Sequence, residues 1–216
     1  MPRKLTLLTV VIALVATAAL STTSSAGLTV DFTHGVAARA GSNFAQLWTR
    51  SSAAGVEFQL TISDKANLSG GQVFDVTGDA GHDNTVKKTV KGLESNTRYW
   101  YQFSSGPIES HLGTFRTLPR KDRAKPFELA ITGDSDVLWQ DPPEPQDRNF
   151  SVLDRVREDR PDMFIYMGDT IYSDSETGAP LAETVEEKWD KYKNNRVPAA
   201  KQALRKLNTW AVWDDH

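Results

Sequence analysis

The sequence predicts an all-β sandwich followed by a shorter α/β segment, and three observations lead there. Short runs rich in β-branched and aromatic residues, punctuated by Gly, Ser and Asn, recur from residue 27 to about residue 119. A charged stretch bracketed by prolines, Pro119–Pro126, then breaks that rhythm. Beyond it, apolar strand-like runs alternate with amphipathic helical ones, which is α/β order. The chain has 216 residues, 39% hydrophobic and 25% charged, a globular balance for one or two domains. A formal charge of −3 leaves no basic excess for neutralising a nucleic-acid backbone. Cysteine is absent, which excludes disulfides, thiolate metal ligands and thiol nucleophiles.

Residues 1–26 read as a secretory signal peptide. Arg3 and Lys4 precede an uncharged apolar run, Leu5 to Leu20, and Ser24-Ser25-Ala26 supplies small residues for cleavage after Ala26. The run is shorter than the ~20 residues a membrane-spanning helix needs, so no stable anchor is expected. A single arginine before it does not make a twin-arginine signal. The expected location is secreted, periplasmic or at the cell surface. Cleavage removes two cations and moves the formal charge from −3 to −5.

Residues 27–119 hold seven predicted strands: Leu28–Thr33, Phe44–Arg50, Val56–Ile62, Gln72–Val76, Thr85–Val90, Arg98–Ser104 and His111–Leu118. That number in about 93 residues fits an antiparallel sandwich of immunoglobulin or fibronectin type III kind. Leu93-Glu94-Ser95-Asn96-Thr97-Arg98-Tyr99 resembles the fibronectin signature in which a tyrosine hydroxyl bonds back to the main chain and pins a corner. His34, His82 and His111 are scattered and read as surface or loop residues. Residues 120–126 are a linker.

Residues 127–216 start with an apolar run, Phe127–Ile131. Ser151–Asp159 reads as a helix with Val152, Leu153 and Val156 on one face, closed by Pro161. Met163–Met167 is a second buried strand. Two helical segments follow, one with Val185, Trp189 and Tyr192 on a face, the other with Ala200, Ala203, Leu204 and Leu207. Trp210–Trp213 is a third apolar strand. All three strands run into aspartate: Asp134, Asp169 and the pair Asp214-Asp215. Reactive groups in α/β folds collect past the carboxyl ends of strands. Carboxylates gathered there repel one another unless a cation sits among them, and hard oxygen ligands suit a divalent or trivalent metal. A pair of such metals clamps a phosphoryl oxygen and makes hydroxide from water near neutral pH.

Three motifs carry a family resemblance. Phe127–Asp136 (FELAITGDSD), Phe164–Asp174 (FIYMGDTIYSD) and Trp210–His216 (WAVWDDH) resemble successive motifs of the calcineurin-like metallophosphoesterases and, more narrowly, of the alkaline phosphatase D family. Phe32–Ala37, Leu47–Arg50 and Gly113–Pro119 are similar to that family's N-terminal domain. The resemblance implies an exported phosphoric ester hydrolase acting on phosphate esters through metal-bound hydroxide. Its metal ligands would be Asp134, a bridging Asp169, Tyr172 as a ferric phenolate, and Asp215, with Asp136 a further candidate. His216 would be the catalytic residue beside the substrate. Asp214 and Asp215 are interchangeable on this reading. Iron, calcium or both are implied, with manganese, magnesium or zinc open, because Gly133-Asp134-Ser135 replaces the cysteine-bearing first motif of much of the family. The family's domain continues past Asp-Asp-His with further ligands and a second sheet, so residues 127–216 are expected to be an incomplete metallophosphoesterase domain, inactive alone. The alternative is a non-catalytic secreted binding protein built on the sandwich, and metal binding separates the two.

Overall fold

The computed structural model describes residues 28–123, 125–134, 150–174 and 180–216. The predicted signal peptide and Asp136 lie outside these residues.

Eight antiparallel strands form the first part: β1 (Val36–Ala40), β2 (Phe44–Arg50), β3 (Glu57–Ser63), β4 (Gln72–Thr77), β5 (Thr85–Lys91), β6 (Arg98–Ser105), β7 (Ile108–Glu109) and β8 (Gly113–Arg116). One sheet has the order β1-β2-β5; the other runs β4-β3-β6, with β7 and β8 both pairing β6. The pleat explains the assignment. Along β6 the residues Tyr99, Tyr101, Phe103 and Ser105 are buried in alternation, and Ala45, Leu47 and Thr49 do the same along β2. The inner faces share one apolar core, in which Phe58 meets Phe32 edge-on at 5.3 Å and Phe103 at 6.1 Å. Tyr99 accepts the Glu94 N–H at 2.9 Å, a back-bond across the turn into β6.

The predicted strand Leu28–Thr33 is not one. Val30 and Phe32 are buried in alternation, but the segment joins no ladder, and the first strand is Val36–Ala40. Periodicity reports burial, whereas a strand also needs a partner, and β2 pairs β1.

The second part contains β9 (Leu129–Thr132), α1 (Ser151–Asp159), β10 (Met163–Tyr166), α2 (Val185–Asn194), α3 (Pro198–Leu204) and β11 (Thr209–Ala211). The strands form a parallel sheet, β11-β10-β9, in which Tyr166 stands opposite both Thr132 and Ala211. Leu153 and Val156 of α1 and Ala200 and Ala203 of α3 pack with Phe164, Tyr166 and Leu207 on one face. The expectation of three buried strands is corrected for the other face: Leu129 and Ile131 of β9 are exposed, as is Val212, because the described helices cover a single side. On α2 the residues Val185, Trp189 and Tyr192 line one cavity, with Trp189 and Tyr192 half-buried. Val185 is 56% exposed, and the most buried side chain of the helix is Lys191. Thr184 and Glu187 close the start of α2 with a capping box. Among the described residues, no helix is long and apolar enough to cross a membrane.

Several polar contacts join the parts, among them the Thr114 N–H to Arg205 O bond at 2.7 Å. Asn208, only 2% exposed, accepts the Ala40 N–H at 2.7 Å and donates to the carbonyls of Ala40 (3.0 Å) and Arg116 (3.3 Å). Asp83 accepts two bonds from Arg50 at 2.8 and 2.9 Å and lies 3.5 Å from Lys193 of α2.

Replacing Asn208 by Ala strands the Ala40 N–H and C=O in the interior. At about 1–3 kcal/mol for a buried unpaired group, Asn208→Ala is expected to cost roughly 3 kcal/mol in urea unfolding. It should also separate the loss of the two parts into distinct transitions. The Asp83 carboxyl is held below its ordinary pKa, first by the hydrogen bond from Arg50 and then by the Coulomb attraction of Arg50 and Lys193. A depressed carboxyl stabilises above its unfolded pKa of about 4, and that contribution fades as the pH falls through the depressed value. Acid titrations of thermal stability should therefore drop less steeply below about pH 4 in Asp83→Asn than in the parent, with a lower plateau at neutral pH.

Candidate active site

The carboxyl edge of the parallel sheet brings distant segments together. Met167 N–H bonds to Thr132 O at 2.7 Å and Val212 N–H to Tyr166 O at 3.0 Å, so the three chains leave the sheet side by side. The turns there are tight. Asp134 and Asp169 have φ of 48° and 40°, in the left-handed region that aspartate tolerates better than most residues. Gly168, at φ 94°, is required for a second reason: a Cβ on it would lie 2.4 Å from Cβ of Asp214.

Asp169, Asp215 and His216 converge here. One ligand atom from each lies within 4.8 Å of the others. Asp169 is 9% exposed and accepts the His216 N–H at 3.3 Å, while Asp215 is open to solvent. The His216 ring is oriented from two sides. Its Nδ1 meets Oδ2 of Asp174, and the Tyr172 ring stacks on it with centroids 4.7 Å apart. That leaves Nε2 turned toward Asp215, 4.0 Å from Oδ1. Ser173 N–H and Oγ both bond to the His216 carbonyl.

α2 holds this loop from behind. Lys191, 7% exposed, donates to Tyr172 O at 2.6 Å, and Asn195 donates to Thr170 O at 2.7 Å. Four residues apart, they share one helix face. A cavity of about 720 Å³ opens alongside, with Asp169, His216, Trp48, Trp189 and Arg196 on its wall. Arg196 lies over the Trp48 ring at 4.6 Å, and burial pushes its pKa down to about 10, still charged at neutral pH. Burial also raises the Tyr166 hydroxyl.

The predicted site residues thus have different places. Asp169, Asp215 and His216 are together, and Tyr172 is against His216. Asp134 follows β9 at the same edge but does not join that group. Asp214 packs on Gly168 and accepts the Asp215 N–H at 3.2 Å. Asp174, Lys191 and Asn195 were not foreseen as site residues. Asp174 sits two residues past Tyr172 in a quoted motif, which was its signal; the lysine and asparagine on α2 gave none, because a polar face on a helix normally meets solvent.

Residues 17–119 match the family model described as "PhoD-like phosphatase, N-terminal domain". No curated protein matches the chain significantly in sequence. Among solved structures, one titled "Structure of PhoD" superposes with a TM-score of 0.74 at 19% identity, over 87% of this chain and 40% of that one. A purple acid phosphatase, PPD1 from yellow lupin (Lupinus luteus) seeds, gives 0.55 at 12% identity, over 83% of this chain and 34% of that one. At these identities the likeness is one of fold, and this chain spans well under half the length of either.

Gly168→Ala is expected to lose about 1–3 kcal/mol, from a positive φ and from the clash with Asp214. At Gly133 the nearest atom to an added Cβ is 3.6 Å away, so Gly133→Ala should stay within about 0.5 kcal/mol of the parent. Paired denaturation curves test the contrast.

Proposed function

We propose that this chain, whose residues 17–119 match the model of the PhoD-like phosphatase N-terminal domain, is the N-terminal portion of an exported, metal-dependent phosphoesterase acting on phosphate esters. The observation that carries the reading is the grouping of Asp169, Asp215 and His216 within 4.8 Å at the carboxyl edge of a parallel sheet. The division is proposed to follow the expected boundaries: a leader over residues 1–26, a fibronectin III-like sandwich over 27–119, a linker over 120–126, and the start of a metallophosphoesterase domain over 127–216. The Tyr99 back-bond to Glu94 supports the fibronectin III assignment.

The donor set fits a metal. Two carboxylates this close repel in the absence of positive charge, and hard oxygen donors suit manganese, magnesium, iron or calcium. Asp169 and Asp215 would hold the ion, with Asp134, Tyr172 and Asp136 as further proposed ligands. When bound, the metal supplies the positive charge that activates water and neutralises phosphoryl oxygens. The rest falls to the protein. Asp174 fixes the His216 ring through Nδ1, so Nε2 can hold a proton for the leaving alcohol. Tyr172 keeps the ring from turning. Trp48 and Trp189 line the cavity, and Arg196 adds a positive charge that favours an anionic ester.

Manganese titration of the chain is expected to show saturable binding, weakened at least about tenfold in Asp169→Asn and Asp215→Asn. On the full gene product, hydrolysis of 4-nitrophenyl phosphate or its bis-ester should fall roughly 10²–10⁴-fold in His216→Ala with metal binding retained. Metal binding that ignores both aspartate variants, or its absence altogether, overturns the reading in favour of a non-catalytic binding protein.

A further inference from the structure

The parallel sheet has a second end. Opposite the carboxylate edge, a cavity of about 640 Å³ opens between the β6–β8 surface and the carboxyl ends of α1 and α3. Arg98 and Arg116 enter it from the antiparallel sheet, Arg157 from α1 and Arg160 from just after it, and Arg205 and Lys206 from just after α3. Against these six cations the wall carries two carboxylates, Glu158 and Asp162, and Asp162 already accepts the Glu128 N–H at 3.1 Å.

Helix ends explain part of this charge, since cations near a helix carboxyl end complement its dipole. They do not explain Arg98 and Arg116, which stand directly opposite each other on β6 and β8. Like charges in that position destabilise a sheet. Arg157 pairs with Asp154 at 3.0 Å and Arg205 donates to Leu112 O at 3.2 Å, but the Nε donors of both are buried without an acceptor among the described residues. Buried donors of this kind are rare, and each is costly until an acceptor arrives. The opposed charges of Arg98 and Arg116 and the two buried Nε donors ask for the same thing, an anion.

We propose that this cavity binds a multiply charged phosphate-type oxyanion, inorganic phosphate or pyrophosphate, between the antiparallel sheets and the helices of the parallel sheet. Guanidinium groups present paired N–H donors that match phosphate oxygens. Burial, and then the neighbouring arginines, depress the pKa of both Arg98 and Lys206, a cost that an anion removes. Because Asn208 also lines the cavity, an anion there binds the docked arrangement of the two parts and stabilises it by mass action. The site lies at the other end of the sheet from Asp169, Asp215 and His216 and does not depend on metal.

Calorimetric titration of the full chain with pyrophosphate, phosphate and sulfate, at low salt with a chelator present, tests the proposal. The expected result is a single saturable site with affinity in the order pyrophosphate, phosphate, sulfate. Arg98→Gln and Lys206→Gln should each weaken pyrophosphate by about tenfold. Glu158→Gln, on an exposed residue whose replacement endangers no core contact, should tighten it several-fold. Asp215→Asn should leave it unchanged. The proposal fails if there is no saturable binding, if affinity ignores anion charge, if Glu158→Gln has no effect, or if binding follows Asp215 rather than Arg98.

Discussion

The Asn208 side-chain amide ties the two halves of this fold together from the interior. Asn208 pairs both main-chain groups of Ala40, the last residue of β1, and the carbonyl of Arg116 at the end of β8. Its own carbonyl accepts the Phe164 N–H at 2.9 Å, and its Oδ1 also accepts from the Trp210 ring at 3.2 Å. The amide orientation follows from its partners: the Ala40 N–H can only donate and the two carbonyls can only accept. Neither aspartate nor leucine meets that demand, because one lacks donors and the other leaves the Ala40 groups unpaired in a dry interface. By fixing where β11 starts relative to both β1 and β10, Asn208 also fixes where Asp214, Asp215 and His216 emerge three or more residues later.

The carboxylate edge then assembles from register alone. Because Tyr166 faces Thr132 on one side and Ala211 on the other, the residues after each strand leave at one level. What register cannot set is side-chain aim. That comes from Asp174 and Tyr172 on the His216 ring and from Lys191 and Asn195 anchoring residues 170–172 to α2. A buried lysine whose ammonium meets a carbonyl is an expensive device, and it is placed where a loop bearing functional groups would otherwise be free to shift.

The sequence made the architecture legible wherever alternation and pairing coincide. Phe44–Arg50, Arg98–Ser105 and Ser151–Asp159 alternate or repeat with the period of their element and pack accordingly. It misled where the two separate. Leu28–Thr33 alternates and buries Val30 and Phe32 without a partner strand, whereas Val36–Ala40, three of its five residues alanine, is weak in β-propensity and is made a strand by β2. The aspartates after each strand were legible because strand ends are marked by loss of apolar character. Lys191 was not, because nothing in a single helix says which polar residue a neighbouring loop will claim. Likewise the six cations of the basic cavity come from four separate segments, and only their juxtaposition gives them meaning.

That juxtaposition follows from the topology. In a parallel sheet each returning helix runs against its strands, so strand carboxyl ends collect at one edge and helix carboxyl ends at the other. The first edge receives the chain's turning points, where aspartate is at home in left-handed conformations, as at Asp134 and Asp169. The second receives exposed carbonyl dipoles, which favour arginine and lysine, as at the ends of α1 and α3. A single winding rule therefore sorts acid from base across one short sheet. It yields a cation-seeking edge and a basic edge from residues that lie far apart in the chain. Arg98 and Arg116 go further than the rule requires, since no helix end lies on their strands. Their mutual repulsion is the feature that turns a charge gradient into a site.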